Sequence, residues 1–399
     1  MRSTRLLGRS PVLTIFAPVT AAIVAALVGI AGALAIVLEA ARTLGATPAE
    51  TTSWVTALFL AMALTSGILS FWHRMPIITA WSTPGAAVIA ATAGAITLDA
   101  AIGAFLAAGV LLVATALIKP LDAAVRRIPI GIAAGMLAGV LVRFVLQMIE
   151  AVPTAPLLVL PLIALFLIAR SRLPGIAMLL VIAAGTALAA AMGLIPVWPP
   201  LTLSSLTLVM PRFDIVTVVG VGVPIYLVTM ASQNLPGAAV LKASGYEPPL
   251  SAALLVTGLA SIAIAPLGAH TVNLAAITAA ICTGPDAHPD PAKRWWTGMA
   301  YFVVYMGLAA AGASLVALFA AFPDALIKAI AGLGLIGALT GALTGALADE
   351  RHRFAAVVTF AVTASGIAVL GIGSAFWGLL VGLAVLAFEV PVSPRPPQV

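Results

Sequence analysis

Three short polar stretches interrupt otherwise apolar runs of this chain: Trp81, Ser82, Thr83, Pro84 and Gly85; Ser232, Gln233 and Asn234; and His270, Thr271 and Asn273. Hydroxyl and amide donors dominate them, and none contains Asp or Glu. A carboxylate ligand only accepts hydrogen bonds and calls for such donors, while a ring-sized apolar group can stack on Trp81 or on Tyr226. His270 is the one group of this set that titrates near neutral pH. Protonated, it would stabilise a bound anion; neutral, it would tie its segment to a neighbouring helix. His73, His288 and His352 fall in connecting loops, so His270 and, next, Glu39 near the end of the first apolar run are the candidates for carrying a proton. Ser232 and His270 also make a nucleophile and a base on paper, but no G-x-S-x-G turn surrounds Ser232, which argues against a hydrolase. A single cysteine, Cys282, and the lack of C-x-x-C or H-E-x-x-H spacings point to no metal, no cofactor and no intrachain disulfide.

The elements that must hold these residues are membrane spans. Of 399 residues, 62% are hydrophobic and 8% charged, against about a quarter charged in soluble domains. The net charge of +6 is scattered singly and in pairs between apolar runs, so it reads as a topology signal and not as a nucleic-acid surface. Apolar runs against Pro, Gly and charge punctuation give spans at 12–41, 52–72, 77–96, 100–118, 128–149, 156–169 and 174–194, then at 215–232, 250–265, 271–282, 295–322, 325–348, 354–370 and 374–388. The fold expected is an all-α membrane protein of about fourteen transmembrane segments, with the N-terminal run uncleaved as the first span.

Lys and Arg support that count. If both termini are cytoplasmic, the inner loops hold Arg2, Arg5, Arg9, Arg74, Lys119, Arg126, Arg127, Arg170, Arg172, Lys242, Lys293, Arg294, Arg351, Arg353 and Arg395, while the outer ones, including 196–212, hold only Arg42, Arg212 and Lys328. Arg143 stays inside span five, as a counter-ion for substrate, a partner of Glu150, or a snorkelling side chain.

The halves look like repeats. Ala80 to Ala87 in span three resembles Ala269 to Ala276 in span ten, and a G-x-x-x-G-x-x-x-G ladder recurs at Gly131, Gly135, Gly139 and at Gly337, Gly341, Gly345. Seven spans per half is an odd number, so the second half enters upside down as a 7+7 inverted repeat. Pro76 and Pro84 bracket span three, while Pro266 and Gly268 precede span ten, so each is broken into a short extended piece and a half-helix. Irregular backbone at membrane depth persists only where it meets protein or a wet cavity. Half-helices starting near Pro84 and Asn273 would aim N–H groups at an anion there. The glycine ladders read as close helix packing.

The stretches Ala80-Trp81-Ser82-Thr83-Pro84-Gly85, Ser232-Gln233-Asn234-Leu235-Pro236-Gly237 and Gly268-Ala269-His270-Thr271-Val272-Asn273, together with Met136 to Phe144 in span five, resemble the bacterial benzoate/proton symporter family nearly end to end. That family is similar in architecture to uracil, xanthine, sulfate and bicarbonate carriers. The resemblance implies a core domain of spans one to four and eight to eleven (1–122 and 201–322) and a gate domain of spans five to seven and twelve to fourteen (123–200 and 323–399). It implies uptake of benzoate or a related small aromatic carboxylate with a proton, by alternating access, in a bacterial inner membrane, and a homodimer as the assembly. Nucleobase relatives carry a glutamate in span eight and another in span ten, and this sequence has none there, which suits an anionic substrate and leaves the coupling residue open. Another anion, a nucleobase-like ring or a passive channel are the alternatives on the same fold.

Overall fold

The computed structural model describes residues 11–92, 96–120, 129–173, 176–195, 197–369 and 372–388. Arg2, Arg5, Arg9, Arg126, Arg127 and Arg395 of the charge pattern lie outside these, as do Ile128, Pro174, Pro196 and Leu370 at expected segment ends.

The chain begins with α1 (Pro11–Thr43) and α2 (Pro48–His73), then β1 (Thr79–Trp81), α3 (Thr83–Ala90), α4 (Leu98–Leu117), α5 (Ile130–Glu150), α6 (Pro156–Arg172) and α7 (Ala177–Ala191). An extended strap over 197–213 leads to α8 (Ile215–Ala243), α9 (Leu250–Leu267), β2 (Val272–Leu274), α10 (Ile277–Thr283), α11 (Trp295–Ala310) and α12 (Gly312–Ala320). It ends with α13 (Asp324–Leu347), α14 (Arg353–Ala364), β3 (Ala368–Val369), β4 (Ile372–Gly373) and α15 (Ser374–Phe388). Among the described residues six helices, α2, α4, α5, α8, α9 and α13, are long and apolar enough to cross a bilayer; the bent α1 and the α11–α12 pair, bent by 59°, bring the number to eight. The other apolar runs also form helices, but α7, α14 and α15 have 15, 12 and 15 residues, short of the roughly 20 that a crossing takes.

The helix ends follow local chemistry. Thr47 and Glu50 close a capping box at the start of α2, and Arg74 ends that helix in the left-handed region at φ 52°. Helix α8 runs eleven residues past the expected end at Ser232, and it contains two π-helical turns, Val218–Gly222 and Met230–Asn234. Each turn precedes a proline, Pro224 or Pro236. Proline has no N–H for the carbonyl four residues back, so the helix widens there instead of stopping.

The fold is not purely helical, because β1 and β2 pair antiparallel with Thr79 opposite Leu274, Ala80 opposite Asn273 and Trp81 opposite Val272. This places Asn273 in a strand and moves the second half-helix start from Asn273 to Ile277. The cause is backbone accounting: a non-helical segment at membrane depth must find partners for every N–H and C=O. The pairing continues through Ser82 N–H to Thr271 O at 3.0 Å and Ala275 N–H to Ile78 O at 2.9 Å. Side chains of flanking helices complete the edges: Ser66 Oγ accepts from Thr79 N–H and Ser70 Oγ from Ile77 N–H on one side, Ser261 Oγ from Val272 N–H and Asn234 Oδ1 from Leu274 N–H on the other.

The two glycine ladders differ. A Cβ at Gly139 would stand 2.6 Å from Thr363 Cβ and 2.7 Å from Phe360 O, and one at Gly135 would collide with Ala356 O, so this ladder seats α5 directly on α14. In α13, a Cβ at Gly345 would make ordinary contact with Ala134 and one at Gly341 would meet nothing within 4 Å. The strap lies across the ends of several helices, bonding Ser204 N–H to Ala310 O, Val209 N–H to Pro266 O and Arg212 N–H to Asp99 O. Gly103 leaves room for the Arg212 carbonyl to settle onto α4.

Candidate functional site

A cavity of about 210 Å³ opens beside the β1–β2 crossing. All its polar side chains come from one set of elements: Trp81 and Thr83 from β1 and the start of α3, Gln233 from the second π turn of α8, Thr278 from α10, and Tyr301 and Tyr305 from α11. A second set of elements contributes only apolar residues: Leu141 from α5, Met178 and Leu179 from α7, and Gly334, Leu335 and Ala338 from α13. Val28, Gly29 and Ala33 of α1 and Met62 of α2 close the remainder, and none of the lining residues is charged. Wide π turns often place a side chain at functional sites because they displace it from the regular helical face, and Gln233 is such a case.

Of the residues singled out in the sequence, Trp81, Thr83, Pro84 and Gln233 line this cavity. The others are not in its lining. Ser82 Oγ accepts from Gly85 N–H at 3.0 Å and shares a proton with Thr229 Oγ1 at 2.7 Å, and Thr271 Oγ1 is 3.3 Å from the same Thr229 hydroxyl. Tyr226 pairs with Thr115 on α4. Asn234 holds the β2 edge, and Asn273 Nδ2 donates to Leu274 O at 2.9 Å. Ser232 and Gly85 are outside the lining.

His270 is fully buried and engaged on both nitrogens: Trp54 Nε1–H donates to its Nδ1 at 3.0 Å, and its Nε2 faces Ser82 O at 3.0 Å. An indole N–H can only donate and a carbonyl can only accept, so Nδ1 carries no proton and Nε2 does. The ring is thereby a neutral bridge joining α2, the start of α3 and the β2 arm. Glu39 forms an ion pair with Arg42 at 3.8 Å, and Arg42 in turn approaches Asp324 at 3.8 Å, near the C-terminal end of α1 and past the part of that helix that lines the cavity. Arg143 makes no ion pair with Glu150 among the described residues; its guanidinium packs against Gly366, whose φ of +67° and missing side chain make that approach feasible.

Tyr301 and Tyr305 escaped the sequence reading. The chain has four tyrosines, and two of them stand four residues apart in one apolar helix, a spacing that puts both rings on one face. Their rings lie 4.4 Å apart, and Phe59 links Tyr305 at 5.6 Å to Trp81 at 5.7 Å.

A bundle of apolar helices with two broken segments crossing beside a small, uncharged cavity is the architecture of a multi-pass membrane protein. The overall arrangement matches the transmembrane domain of a cyanobacterium bicarbonate transporter, BicA, with a TM-score of 0.62 at 15% identity over 93% of this chain and 97% of that one. It also matches SLC26A9 with a TM-score of 0.66 at 11% identity, over 94% of this chain and 65% of that one. The model of the benzoate membrane transport protein family matches residues 14–388, and the chain belongs to that family. It is 39% identical over 370 residues to the inner membrane protein YdcO of Escherichia coli, covering 91% of this chain and 93% of that one. It is 34% identical over 376 residues to the benzoate membrane transport protein of Acinetobacter baylyi, covering 94% and 95%. The family is one of carriers, so the chain is a membrane transporter and not an enzyme.

Proposed function

We propose that this chain imports benzoate or a related small aromatic carboxylate across a bacterial inner membrane together with a proton. The observation that carries the reading is the division of the cavity lining, in which every polar side chain comes from β1, α3, α8, α10 and α11 and the residues from α5, α7 and α13 are all apolar. An amphiphile with an acceptor-only head and a flat apolar ring satisfies both sets at once, whereas a nucleobase would bring polar edges to the apolar one. At about 210 Å³ the cavity is below the roughly 300–1,000 Å³ of sites for drug-sized ligands, which suits a single ring. The name of the Acinetobacter relative supports the substrate, and that of the Escherichia coli relative supports the inner membrane.

The polar set belongs to the proposed core domain (1–122 and 201–322) and the apolar set to the proposed gate domain (123–200 and 323–399), within fourteen segments arranged as a 7+7 inverted repeat. Alternating access then requires the two sets to shift against each other, and an apolar set that makes no hydrogen bonds to the ligand can move without breaking any. Entry of a carboxylate with one proton is electroneutral, which avoids moving charge against the membrane potential.

Uptake of radiolabelled benzoate into proteoliposomes tests this. Accumulation above the external concentration is expected when the outside is made acidic, and collapse to equilibrium when a protonophore is added. Equilibration regardless of the gradient would mean a passive channel, and no benzoate entry at all would remove the substrate assignment.

A further inference from the structure

A carboxylate in this cavity needs donors, and the nearest helix end offers few. In the first turn of α3, Ser82 Oγ accepts from Gly85 N–H, Ser82 O accepts from Ala86 N–H at 2.8 Å, and Pro84 has no N–H. Among the described residues the Thr83 N–H is what that turn leaves over. Side chains must therefore supply the rest.

Tyr305 fits. It is fully buried, it lines the cavity, and its hydroxyl has no hydrogen-bond partner among the described residues. Its neighbour Tyr301 is already engaged, donating to Thr79 O at 3.2 Å. The position of the free hydroxyl is fixed by what surrounds it: a Cβ added at Gly29 would stand 3.4 Å from Tyr305 Oη and 3.4 Å from Thr278 Cγ2, so the oxygen lies at the cavity wall where α1 faces α10. The edge-on contact with Phe59 holds the phenol ring in that pose. A buried hydroxyl that meets no protein acceptor keeps its O–H available to an acceptor that enters the cavity.

We propose that Tyr305 Oη is the donor that selects a carboxylate head, and that Gly29 is free of a side chain so that the carboxylate can reach it. This rests on the cavity being the substrate site. The ligand then lies with its acid group between Tyr305 and Thr278 and its ring toward Leu141 and Leu335.

The test is calorimetric benzoate binding and thermal unfolding on purified wild type, Tyr305→Phe and Gly29→Val. Tyr305→Phe removes one oxygen and leaves the aromatic packing in place. Its benzoate Kd is expected to rise on the order of 10–100-fold, as for loss of a hydrogen bond to a charged group, while the empty protein melts at the same temperature or higher. Gly29→Val should weaken binding by blocking the approach, with Tyr305 intact. Wild-type binding that survives Tyr305→Phe at full affinity overturns the assignment and leaves the cavity reading standing. A lower melting temperature of empty Tyr305→Phe overturns it as well, since the hydroxyl would then be engaged within the protein. Failure of the wild type to bind benzoate overturns both the assignment and the substrate reading on which it rests.

Discussion

The indole of Trp54 donates to Nδ1 of His270 at 3.0 Å, and this bond fixes the histidine as a neutral bridge with Nε2 turned to the Ser82 carbonyl. A second proton on Nδ1 would displace Trp54, so the ring can bind a charge only by breaking the joint between α2 and the broken segments. Replacing His270 with Gln takes the imidazole acceptor from the Trp54 N–H, at a cost of about 1–3 kcal/mol where that buried donor is left unpaired, while the Ser82 carbonyl keeps its bond from Ala86 N–H. The expected result is a lower melting temperature and lower yield, with the pH dependence of benzoate binding between about pH 5 and 8 unchanged in the surviving protein. A pH profile flattened by the substitution would assign proton coupling to His270 after all.

Much of the architecture was legible in the sequence because the bilayer imposes its demands on composition. Apolar runs located the helices, and Pro84, Pro266 and Gly268 marked the two segments that could not be continuous. The role of His270 was not legible, since its partner Trp54 lies 216 positions away and nothing local distinguishes a ligand-facing imidazole from one facing an indole. The same holds for the strand register and for the Asn234 side chain, whose partner is a backbone N–H forty residues on. The tyrosine pair did leave a signal, its helical spacing, but polar residues beside prolines drew the reading away from it. Gln233 was found as part of a motif, whereas the π turn that turns it toward the cavity follows from Pro236 three residues later.

The unequal glycine ladders make a comparative prediction. A methyl at Gly139 falls 2.6–2.9 Å from Thr363 Cβ, Phe360 O and Ala364 N, two of them backbone atoms that can move only with the helix. Gly139→Ala is expected to destabilise by about 1–3 kcal/mol, as overpacking does. Gly341→Ala meets nothing within 4 Å and should be neutral or gain up to about 1 kcal/mol of helix propensity. Thermal unfolding in one detergent measures both; equal effects would show that the ladders pack alike.

The proposed topology puts both termini in the cytoplasm and the strap outside. Ser205 is the labelling position of choice, since Ser204 Oγ accepts from Ala313 N–H at 2.9 Å while Ser205 is exposed. After Cys282, which is buried, is replaced by Ala, Ser205→Cys should react with an impermeant maleimide added to intact cells. Reaction only after the cytoplasmic face is opened would invert the assignment.

The strap is pinned by Arg212, whose Nε donates to Asp99 Oδ2 at 2.9 Å. Arg212 Nη2 also donates to Thr97 Oγ1 at 2.9 Å, so one guanidinium ties the strap to the start of α4. Carboxylates ordinarily titrate near about 4, so a carboxylate–guanidinium pin keeps its charge across the neutral range. Limited proteolysis of the strap should proceed at one rate across the neutral range and faster in Asp99→Asn. A cleavage rate that changes near pH 6 would point to another titrating group.

The division of the cavity lining into two sets of residues predicts two different kinds of variant. Leu335, almost fully buried in the apolar set, faces the ring in the proposed pose, so Leu335→Ala opens space there and ring-methylated benzoates should gain on benzoate. One methylene in an apolar pocket is worth about 10–200-fold in discrimination, so a change of about tenfold in the ratio of the two dissociation constants is expected. Thr83→Val acts on the polar set, where every carboxylate makes the same contacts, and should weaken both ligands in parallel without changing their ratio. Taking the ratio within one variant cancels any loss of folded protein, which matters because a buried Leu→Ala change typically costs about 2–5 kcal/mol of stability. If Thr83→Val shifts the ratio and Leu335→Ala does not, the ligand lies the other way round, with its ring against the polar residues, and the carboxylate must then find its donors outside the set that lines this cavity.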